Sequence, residues 1–260
     1  MKIHKIDINQ TIAIAYIARG ADKDWLISCE RFLRSYIENP AGIRHTLYII
    51  FKGFSFAEDL AAARACFDCV RHTPIFLADE NFDIGAYIEW ANSINEELIC
   101  PLNSGTQIIS HDWLYKLAIN LLTPKVGLVG ATASYESLKD LNSSFPSFRN
   151  IHIRSTGFMI NRKLFCELTL KIPMSSKIDA YQFESGRKSL TKMVIGKKLN
   201  VLLVGRNGRG YAPINWINSH TFRQGSQSNL LIADNQTRNY LALTWSEKRE
   251  NVLRTWGLNR

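Results

Sequence analysis

Three small polar residues, Asn103, Ser104 and Gly105, follow a short apolar run in this chain of 260 residues. The run itself, residues 98–102, is typical of a buried strand, and the polar residues after it predict a turn. In an open α/β sheet, ligands bind at the carboxyl ends of the strands, and small side chains let them approach the backbone. We therefore expect a ligand at this junction, although an ordinary strand-to-loop junction has the same pattern.

Basic residues are concentrated in the second half of the chain. Residues 1–148 carry 13 Lys and Arg against 17 Asp and Glu, whereas residues 149–260 carry 19 against 6, a balance of +13. This excess indicates an anionic ligand, although solubility alone also explains a charged surface. Diphosphate groups, an anionic acceptor and anionic lipid headgroups all fit. No specific nucleic acid is expected, because no known nucleic-acid-binding module is present.

Cysteines and apolar runs argue against a secreted or membrane-spanning protein. The five cysteines are odd in number and scattered, which favours reduced thiols over a disulfide framework. Cys66 and Cys69 form a CxxC, but no second pair completes a zinc site, so we assign them to packing. No apolar run approaches the roughly 20 residues of a membrane span, and residues 1–7 lack a signal peptide's apolar block. We expect a cytoplasmic protein.

Strands and helices alternate in the first half of the chain, and these elements must position the residues above. Such alternation predicts a mostly parallel central sheet flanked by helices on both faces, a Rossmann-like arrangement. Neither GxGxxG nor GxxxxGK[ST] is present, which disfavours a standard dinucleotide fold and a P-loop. We predict strands at 11–18, 46–51, 73–78, 98–102 and 126–131, and helices at 25–37, 56–70, 84–94 and 112–122.

The pattern loosens after about residue 138. We interpret residues 1–137 as a Rossmann-like half and residues 138–260 as a basic half of one continuous domain. Residues 220–237 are polar and without clear periodicity, which is typical of a closing segment over a site and also of a plain surface loop. In this half we predict a functional loop at 142–148, strands at 151–154, 157–160 and 201–205, and helices at 162–168 and 181–197.

Four local strings, taken in order, resemble the GT-A-fold glycosyltransferases, near the family 2-like enzymes of bacterial polysaccharide synthesis. They are residues 16–20 after the first strand, residues 83–87 at a helix start, residues 102–106, and residues 183–187. The resemblance covers most of the chain. It implies a GT-A fold with a C-terminal acceptor-side region, and a nucleotide-sugar donor. In such a fold, residues 1–137 would be the nucleotide-sugar-binding half, and residues 138–260 the acceptor-binding half with a closing C-terminal tail.

One departure from that family concerns its DxD motif, whose carboxylates hold a divalent ion on the nucleotide diphosphate. Asn103 and Gly105 stand at the corresponding positions here, and they make a poor Mn²⁺ or Mg²⁺ site, because hard cations prefer carboxylate oxygen. Either the metal is held otherwise, or protein cations replace it and transfer is metal-independent, or the domain no longer catalyses. Asn103 and Ser104 are expected to approach the diphosphate or the ribose.

Residues at the ends of the first and third strands are the candidates for the nucleotide pocket. They are Ala18, Arg19 and Asp79, although Asp79 also fits a simple strand end. Asp83 opens a helix, so it is either an N-cap or a residue near the donor sugar.

The candidate general base is Glu184, with Asp179 as the reserve. An inverting transfer needs a carboxylate that accepts the proton of the acceptor hydroxyl. Glu184 follows Phe183, and partial burial there would raise its pKa toward a useful value. The alternative is a surface ion pair of Glu184 with Arg187 or Lys188 on one helix face.

The basic half supplies the candidate diphosphate and acceptor contacts. His220 and Arg223 are expected near the diphosphate, because a tail of this kind folds over the donor in the resembling family. His220 is a metal ligand if a metal binds, and otherwise a solvated loop histidine. Arg154 is expected to line the acceptor side, and residues 234–237 fit either a ligand contact or a helix cap.

These observations lead to one functional hypothesis and two rivals. The first is a hexosyltransferase that moves a sugar from a nucleotide-sugar donor to a glycan or lipid-linked acceptor in bacterial surface polysaccharide synthesis, with inversion. The basic half would then hold it at the inner face of the membrane. The rivals are a non-catalytic nucleotide- or glycan-binding module, motivated by the missing DxD, and a nucleic-acid-binding protein, motivated only by charge.

Overall fold

A computed structural model of the chain describes residues 8–172, 174 and 176–257. Its strands are β1 (Ile12–Arg19), β2 (Thr46–Lys52), β3 (Thr73–Leu77), β4 (Leu98–Leu102), β5 (Gln107–Ile108), β6 (Val126–Gly130), β7 (Ala133–Ser134), β8 (His152–Ile153), β9 (Phe158–Asn161), β10 (Asn200–Val204), β11 (Gly210–Tyr211) and β12 (Ile232–Ala233). Its α-helices are α1 (Trp25–Glu38), α2 (Ala57–Cys66), α3 (Phe82–Ser93), α4 (Trp113–Leu121), α5 (Arg162–Thr169), α6 (Lys177–Ser185), α7 (Leu190–Gly196), α8 (Asn235–Ala242) and α9 (Trp245–Trp256).

Eight strands form the central sheet, in the order β11-β10-β6-β9-β4-β1-β2-β3. β1 pairs in parallel with β2 on one side and with β4 on the other, whereas β9 is antiparallel to both of its neighbours. The chain therefore builds outward from β1 to β2 and β3 and then crosses back to β4. In an open α/β sheet this reversal opens a crevice at the carboxyl ends of the two strands.

Side chains of β1 alternate between two hydrophobic cores, one on each face of the sheet. Ala13, Ala15 and Ile17 belong to the core that α3, α5 and α7 cover. Ile14 and Tyr16 belong to the other core, beneath α1 and α4. Because both faces are buried, the strand is an almost unbroken apolar run, which is why the sequence pattern identified it.

The mixed α/β sheet flanked by helices confirms the predicted fold class, and strands from both halves of the chain contribute to it. The first-half strands and helices confirm the predicted order. All five cysteines are free thiols. Among the described residues, no helix has both the length and the apolar character needed to cross a membrane.

The predicted single helix over residues 181–197 is wrong, because two helices with a break occupy this region. α6 ends when the Gly186 backbone N–H bonds the Gln182 carbonyl at 2.9 Å, and Ser189 precedes α7. Glu184 lies in the last turn of α6 as a result. The backbone is extended at Gly186, which interrupts the helix. The apolar periodicity on either side does not reveal this break.

The polar tail is more ordered than its sequence indicates. β12 pairs antiparallel with β5, with Ile232 opposite Ile108. α8 then begins with a capping box, in which Asp234 and Thr237 satisfy each other's backbone N–H groups. Residues 234–237 are therefore a helix cap, one of the two interpretations of their sequence, and they hold α8 against the turn after β4.

Candidate functional site

Ser104 joins the carboxyl ends of β1 and β4. The Tyr16 hydroxyl, on β1, donates to the Ser104 carbonyl at 3.0 Å, and the Ser104 hydroxyl donates to Asp22 Oδ2 at 2.7 Å. Asp22 lies in the loop after β1. The crevice at the reversal of the strand order is thus bordered by polar groups from both strands, as a ligand site at that position requires.

Asp79, which follows β3, forms ion pairs with two cations. Arg19 binds it through Nε and Nη2 at 3.0 and 2.7 Å, and Lys52 Nζ lies 3.2 Å from Oδ1. Burial alone would raise the pKa of Asp79, but the hydrogen bonds from Arg19 and Lys52 lower it below its usual value. Arg19 also donates to Asp22 at 2.8 Å. We call Arg19, Asp22, Lys52, Asp79 and Ser104 the carboxyl-end cluster.

Lys52 was not among the sequence candidates, yet its side chain is fully buried. Besides Asp79, its ammonium donates to the Phe82 carbonyl at 2.7 Å, at the start of α3. A buried lysine needs such partners because an unpaired ammonium inside a protein is costly. The sequence does contain a signal for this residue, because Lys52 is a lysine at the end of a strand inside the sheet.

Asp83 stands in the first turn of α3, beside the carboxyl-end cluster. Burial raises the pKa of Asp83, and Lys52 partly offsets this. One turn later, burial raises the pKa of Tyr87 far above its usual value, and the charges of Asp83 and Glu184 raise it further. No described residue hydrogen-bonds to the buried Tyr87 hydroxyl. Tyr87 thus lies within electrostatic range of both carboxylates, on the inner side of α3.

Glu184 does not form the surface ion pair that its sequence neighbours allow. Its Oε2 accepts a hydrogen bond from the Ser155 backbone N–H at 2.6 Å and another from the Ser155 hydroxyl. Arg187 instead donates to the Ser144 carbonyl. Within residues 8–257, apart from the gaps named above, no donor bonds Oε1 of Glu184, so one carboxylate oxygen is oriented by the protein and the other is available to a hydroxyl group.

Asp179, the reserve base, caps α6. Its Oδ2 accepts from both the backbone N–H and the hydroxyl of Ser176 at 2.8 Å, which completes a capping box. A carboxylate in that role stabilises a helix start. The structure therefore gives Asp179 a structural task that was not expected from its sequence.

Arg154 and Asp234 form a buried ion pair at 3.0 Å. Thr156 donates to the same carboxylate at 2.6 Å, and the Arg154 guanidinium stacks 4.0 Å from the centre of the Phe222 ring. Burial would raise the pKa of Asp234, but the charge of Arg154 and the hydrogen bonds lower it. The pair joins the loop between β8 and β9 to the start of α8. The same loop contains Ser155, which bonds Glu184.

Arg223 is also buried, on the same ring. Its guanidinium carbon lies 4.7 Å from the Phe222 ring centre, and it reaches Glu136 at 3.3 Å and Gln236 at 2.8 Å. His220 is exposed. Both His220 and Arg223 have a left-handed backbone, with φ of 54° and 52°. The two residues predicted to contact the diphosphate therefore lie in different environments. Arg223 belongs to an internal network, and His220 lies on the surface.

The two remaining donor candidates lie at the crevice. Ala18 is completely buried, so only its backbone is near the strand end. The Asn103 side-chain oxygen accepts from the Thr106 hydroxyl at 3.2 Å. The sequence therefore identified Arg19, Asp79 and Ser104 of the cluster. It missed Lys52, and it missed Ser155 beside Glu184, because the partners of both residues are distant in the chain.

The residues at the turn after β4 do not fit a divalent metal ion. The Asn103 oxygen is already hydrogen-bonded, Ser104 donates to Asp22, and Gly105 has no side chain. Asp22 and Asp79 are occupied by Arg19 and Lys52. In the part of the chain that the structure describes, no group of three or more His, Cys, Asp or Glu is arranged to hold a metal. Hard cations prefer carboxylate oxygens, which this turn does not offer.

Comparisons with known proteins give structural similarity only. No protein-family model and no curated protein matches this chain. Among solved structures, 4-diphosphocytidyl-2C-methyl-D-erythritol synthase from Anaerococcus prevotii is 13% identical, with a TM-score of 0.49, over 75% of this chain and 88% of that chain. Glucosyl-3-phosphoglycerate synthase from Mycobacterium tuberculosis, in complex with Mn²⁺, UDP and phosphoglyceric acid, is 13% identical, with a TM-score of 0.42, over 60% and 57%.

A third similar structure is a mannosyltransferase from Pyrobaculum calidifontis in complex with GDP-mannose and Mn²⁺. It is 11% identical, with a TM-score of 0.46, over 66% of this chain and 51% of that chain. This chain therefore spans only about half the length of the two transferases. At these identities and TM-scores, no residue role or activity is carried over from any of the three.

Proposed function

We propose that this chain is a glycosyltransferase that moves a sugar from a nucleotide-sugar donor to an acceptor hydroxyl, with inversion. The observation that carries the proposal is the carboxyl-end cluster, which borders the crevice between β1 and β4. A crevice at this point of an open α/β sheet is the expected site for a nucleotide. Glu184 adds an oriented carboxylate on the helix that packs against α3.

The donor would lie across the ends of β1, β3 and β4. The backbone of Ala18 and the Arg19–Asp79 pair would contact the nucleotide. Asn103 and Ser104 would approach the ribose or the diphosphate. Asp83, at the start of α3, would face the donor sugar and hydrogen-bond one of its hydroxyl groups.

The reaction would be a single displacement. The acceptor oxygen forms a bond to the anomeric carbon from the face opposite the diphosphate, while the bond from that carbon to the diphosphate oxygen breaks. Glu184 takes the hydroxyl proton, and the electron pair of the broken bond stays on the nucleoside diphosphate. Ser155 would keep the Glu184 carboxylate in place through its two hydrogen bonds.

The acceptor would be a glycan or a lipid-linked sugar, and the setting would be bacterial surface polysaccharide synthesis. The support is the basic character of residues 149–260, which carry 19 Lys and Arg against 6 Asp and Glu. Such a surface attracts anionic acceptors and the anionic lipids of the inner membrane face. Arg154 would lie on the acceptor side, because the next residue, Ser155, bonds Glu184, and it would shape the pocket from within its ion pair with Asp234.

Calorimetric titration with UDP, GDP, CMP and their common sugar conjugates tests this proposal. Binding of one nucleotide diphosphate, followed by release of that nucleotide when a glycan acceptor is added, would support a transferase. A folded protein that binds none of these compounds would contradict it. The second candidate, a non-catalytic binding module, is favoured by the absence of carboxylates at 103–105, and binding without turnover across a panel of acceptors would support it.

A further inference from the structure

Arg238, in α8, is partly buried and bonds neutral groups at the turn after β4. Its Nη1 donates to the Gly105 carbonyl at 3.0 Å, and its Nη2 donates to the side-chain oxygen of Asn235. Both acceptors are neutral. Across the described residues, no carboxylate forms an ion pair with Arg238, although the side chain is partly buried.

Three other arginines are neutralised by contact with carboxylates, whereas the partly buried Arg162, at the amino end of β4, donates to the Glu96 and Ala91 carbonyls. Arg19 binds Asp22 and Asp79, Arg154 binds Asp234, and Arg223 binds Glu136. A cation that loses water without gaining a counter-charge is unfavourable in a folded protein. A partly buried guanidinium that retains an uncompensated charge therefore indicates a place for an anion.

The surroundings of Arg238 add to this imbalance. Burial lowers the pKa of Arg238, the charge of Arg31 on α1 lowers it further, and the charges of Asp234 and Asp24 act in the opposite direction. Asp234 is already paired with Arg154 at 3.0 Å. Arg31 is thus a second cation near this site, and Asp234, the carboxylate that opposes it most, is already paired.

Arg238 also lies at the turn that follows β4. Its guanidinium holds the carbonyl of Gly105, next to Ser104, which bridges to β1. A Cβ on Gly105 would lie 3.0 Å from the Asn235 side-chain oxygen, so α8 packs tightly on this turn. The cation is therefore at the crevice, at the same turn where the side chains do not fit a metal ion.

We propose that Arg238 binds the diphosphate of the donor, so that donor binding proceeds without a divalent metal ion. This inference rests on the proposed function and deepens it. When the bond from the anomeric carbon to the diphosphate oxygen breaks, negative charge grows on the leaving group. A guanidinium stabilises that charge through charge-assisted hydrogen bonds, which a planar fork of N–H donors suits.

The test is calorimetric titration of the whole chain with UDP and GDP in excess EDTA, and again with Mn²⁺. We expect one of the two to bind in EDTA, with an affinity that Mn²⁺ changes by less than about threefold. Arg238→Gln should weaken that binding about 10- to 100-fold, and Arg238→Lys should recover part of the loss. Arg71→Gln, a surface change two residues before the amino end of β3, should leave it unchanged.

The matching nucleoside separates phosphate binding from a purely structural role. Uridine or guanosine carries no phosphate, so Arg238→Gln should leave its affinity within about twofold of wild type. If Arg238→Gln fails to fold, as thermal denaturation would show, Arg238→Lys and the EDTA comparison on wild type decide the question.

Three results would overturn the inference. Binding that requires Mn²⁺ would remove metal independence while leaving the proposed transferase intact. Unchanged diphosphate affinity in Arg238→Gln would remove Arg238 from the site. No binding of either diphosphate by the folded protein, with or without Mn²⁺, would overturn the proposed function together with this inference.

Discussion

Glu184 shows how a residue distant in the chain can orient a side chain. Ser155 precedes it by 29 positions, yet it supplies two hydrogen bonds to one carboxylate oxygen. The second oxygen is oriented as a consequence. This arrangement suits a general base, which must keep its geometry while it accepts a proton.

We expect Glu184→Gln to reduce sugar transfer by at least about 100-fold while leaving nucleotide affinity unchanged, because an amide cannot accept the proton but preserves the shape. Steady-state release of the nucleotide and calorimetric binding measure the two effects. Glu167→Gln, which alters an exposed glutamate paired with Lys197, is the matched control. Near-normal turnover of Glu184→Gln would remove Glu184 from this role.

Lys52→Met tests the buried cation of the carboxyl-end cluster. The change deletes the hydrogen bond to the Phe82 carbonyl and one of the two cations on Asp79, without a large change in volume. We expect the free energy of unfolding to fall by about 2–4 kcal/mol, as measured by urea denaturation. A loss smaller than that of the surface variant Lys23→Met would contradict the structural weight given to Lys52.

At the scale of elements, the Arg154–Asp234 pair joins the loop before β9 to the first turn of α8. Both side chains are almost fully buried, with exposed fractions of 9% and 4%. The pair therefore fixes the C-terminal segment over the turn after β4. Removing one partner leaves the other charge buried without compensation.

Asp234→Asn should lower the free energy of unfolding at neutral pH by about 3–5 kcal/mol, because Arg154 loses its counter-charge. The folded-state pKa of Asp234 is lowered, so its contribution is complete above the unfolded pKa of about 3.9 and is lost as pH falls through the folded value. The free energy of unfolding of wild type, measured by urea denaturation, should therefore fall more steeply between about pH 5 and pH 2 than that of the variant. The variant should show a flatter slope over that range, and equal slopes would contradict the linkage.

At the scale of the whole molecule, charge is distributed unevenly along the chain. The balance is −4 for residues 1–148 and +13 for residues 149–260, as counted from the sequence. The exposed basic residues of the second half include Lys171 and Lys188. A surface of this kind is attracted to anionic membranes, and salt weakens the attraction.

We expect the protein to bind vesicles that contain anionic lipid and not vesicles of neutral lipid alone, with affinity that falls as salt rises. Lys171→Gln with Lys188→Gln should weaken this binding by a factor of about 30, since each surface charge contributes about 1 kcal/mol and the pair about 2 kcal/mol. Lys23→Gln with Arg71→Gln, in the first half, is the control. Sedimentation with vesicles measures both, and equal weakening by the two pairs would contradict a basic face specific to the second half.

The sequence alone determined the alternation of strands and helices in the first half. The strands β1, β2 and β4 are apolar runs because both sheet faces are covered, and they end where polar residues begin. That pattern also identified Arg19, Asp79 and Ser104 as residues at strand ends. A buried segment has a local pattern of apolar residues, which can be recognised in the sequence.

Tertiary structure alone decided which of those ends meet and which charges cancel. Ser104 reaches Asp22 across 82 positions, and Thr156 reaches Asp234 across 78. Two-residue strands such as β12 are too short to show a period, so their pairing is invisible in the sequence. Arg238 shows the difference most clearly, because its uncompensated charge depends on which carboxylates the fold has already given to other cations.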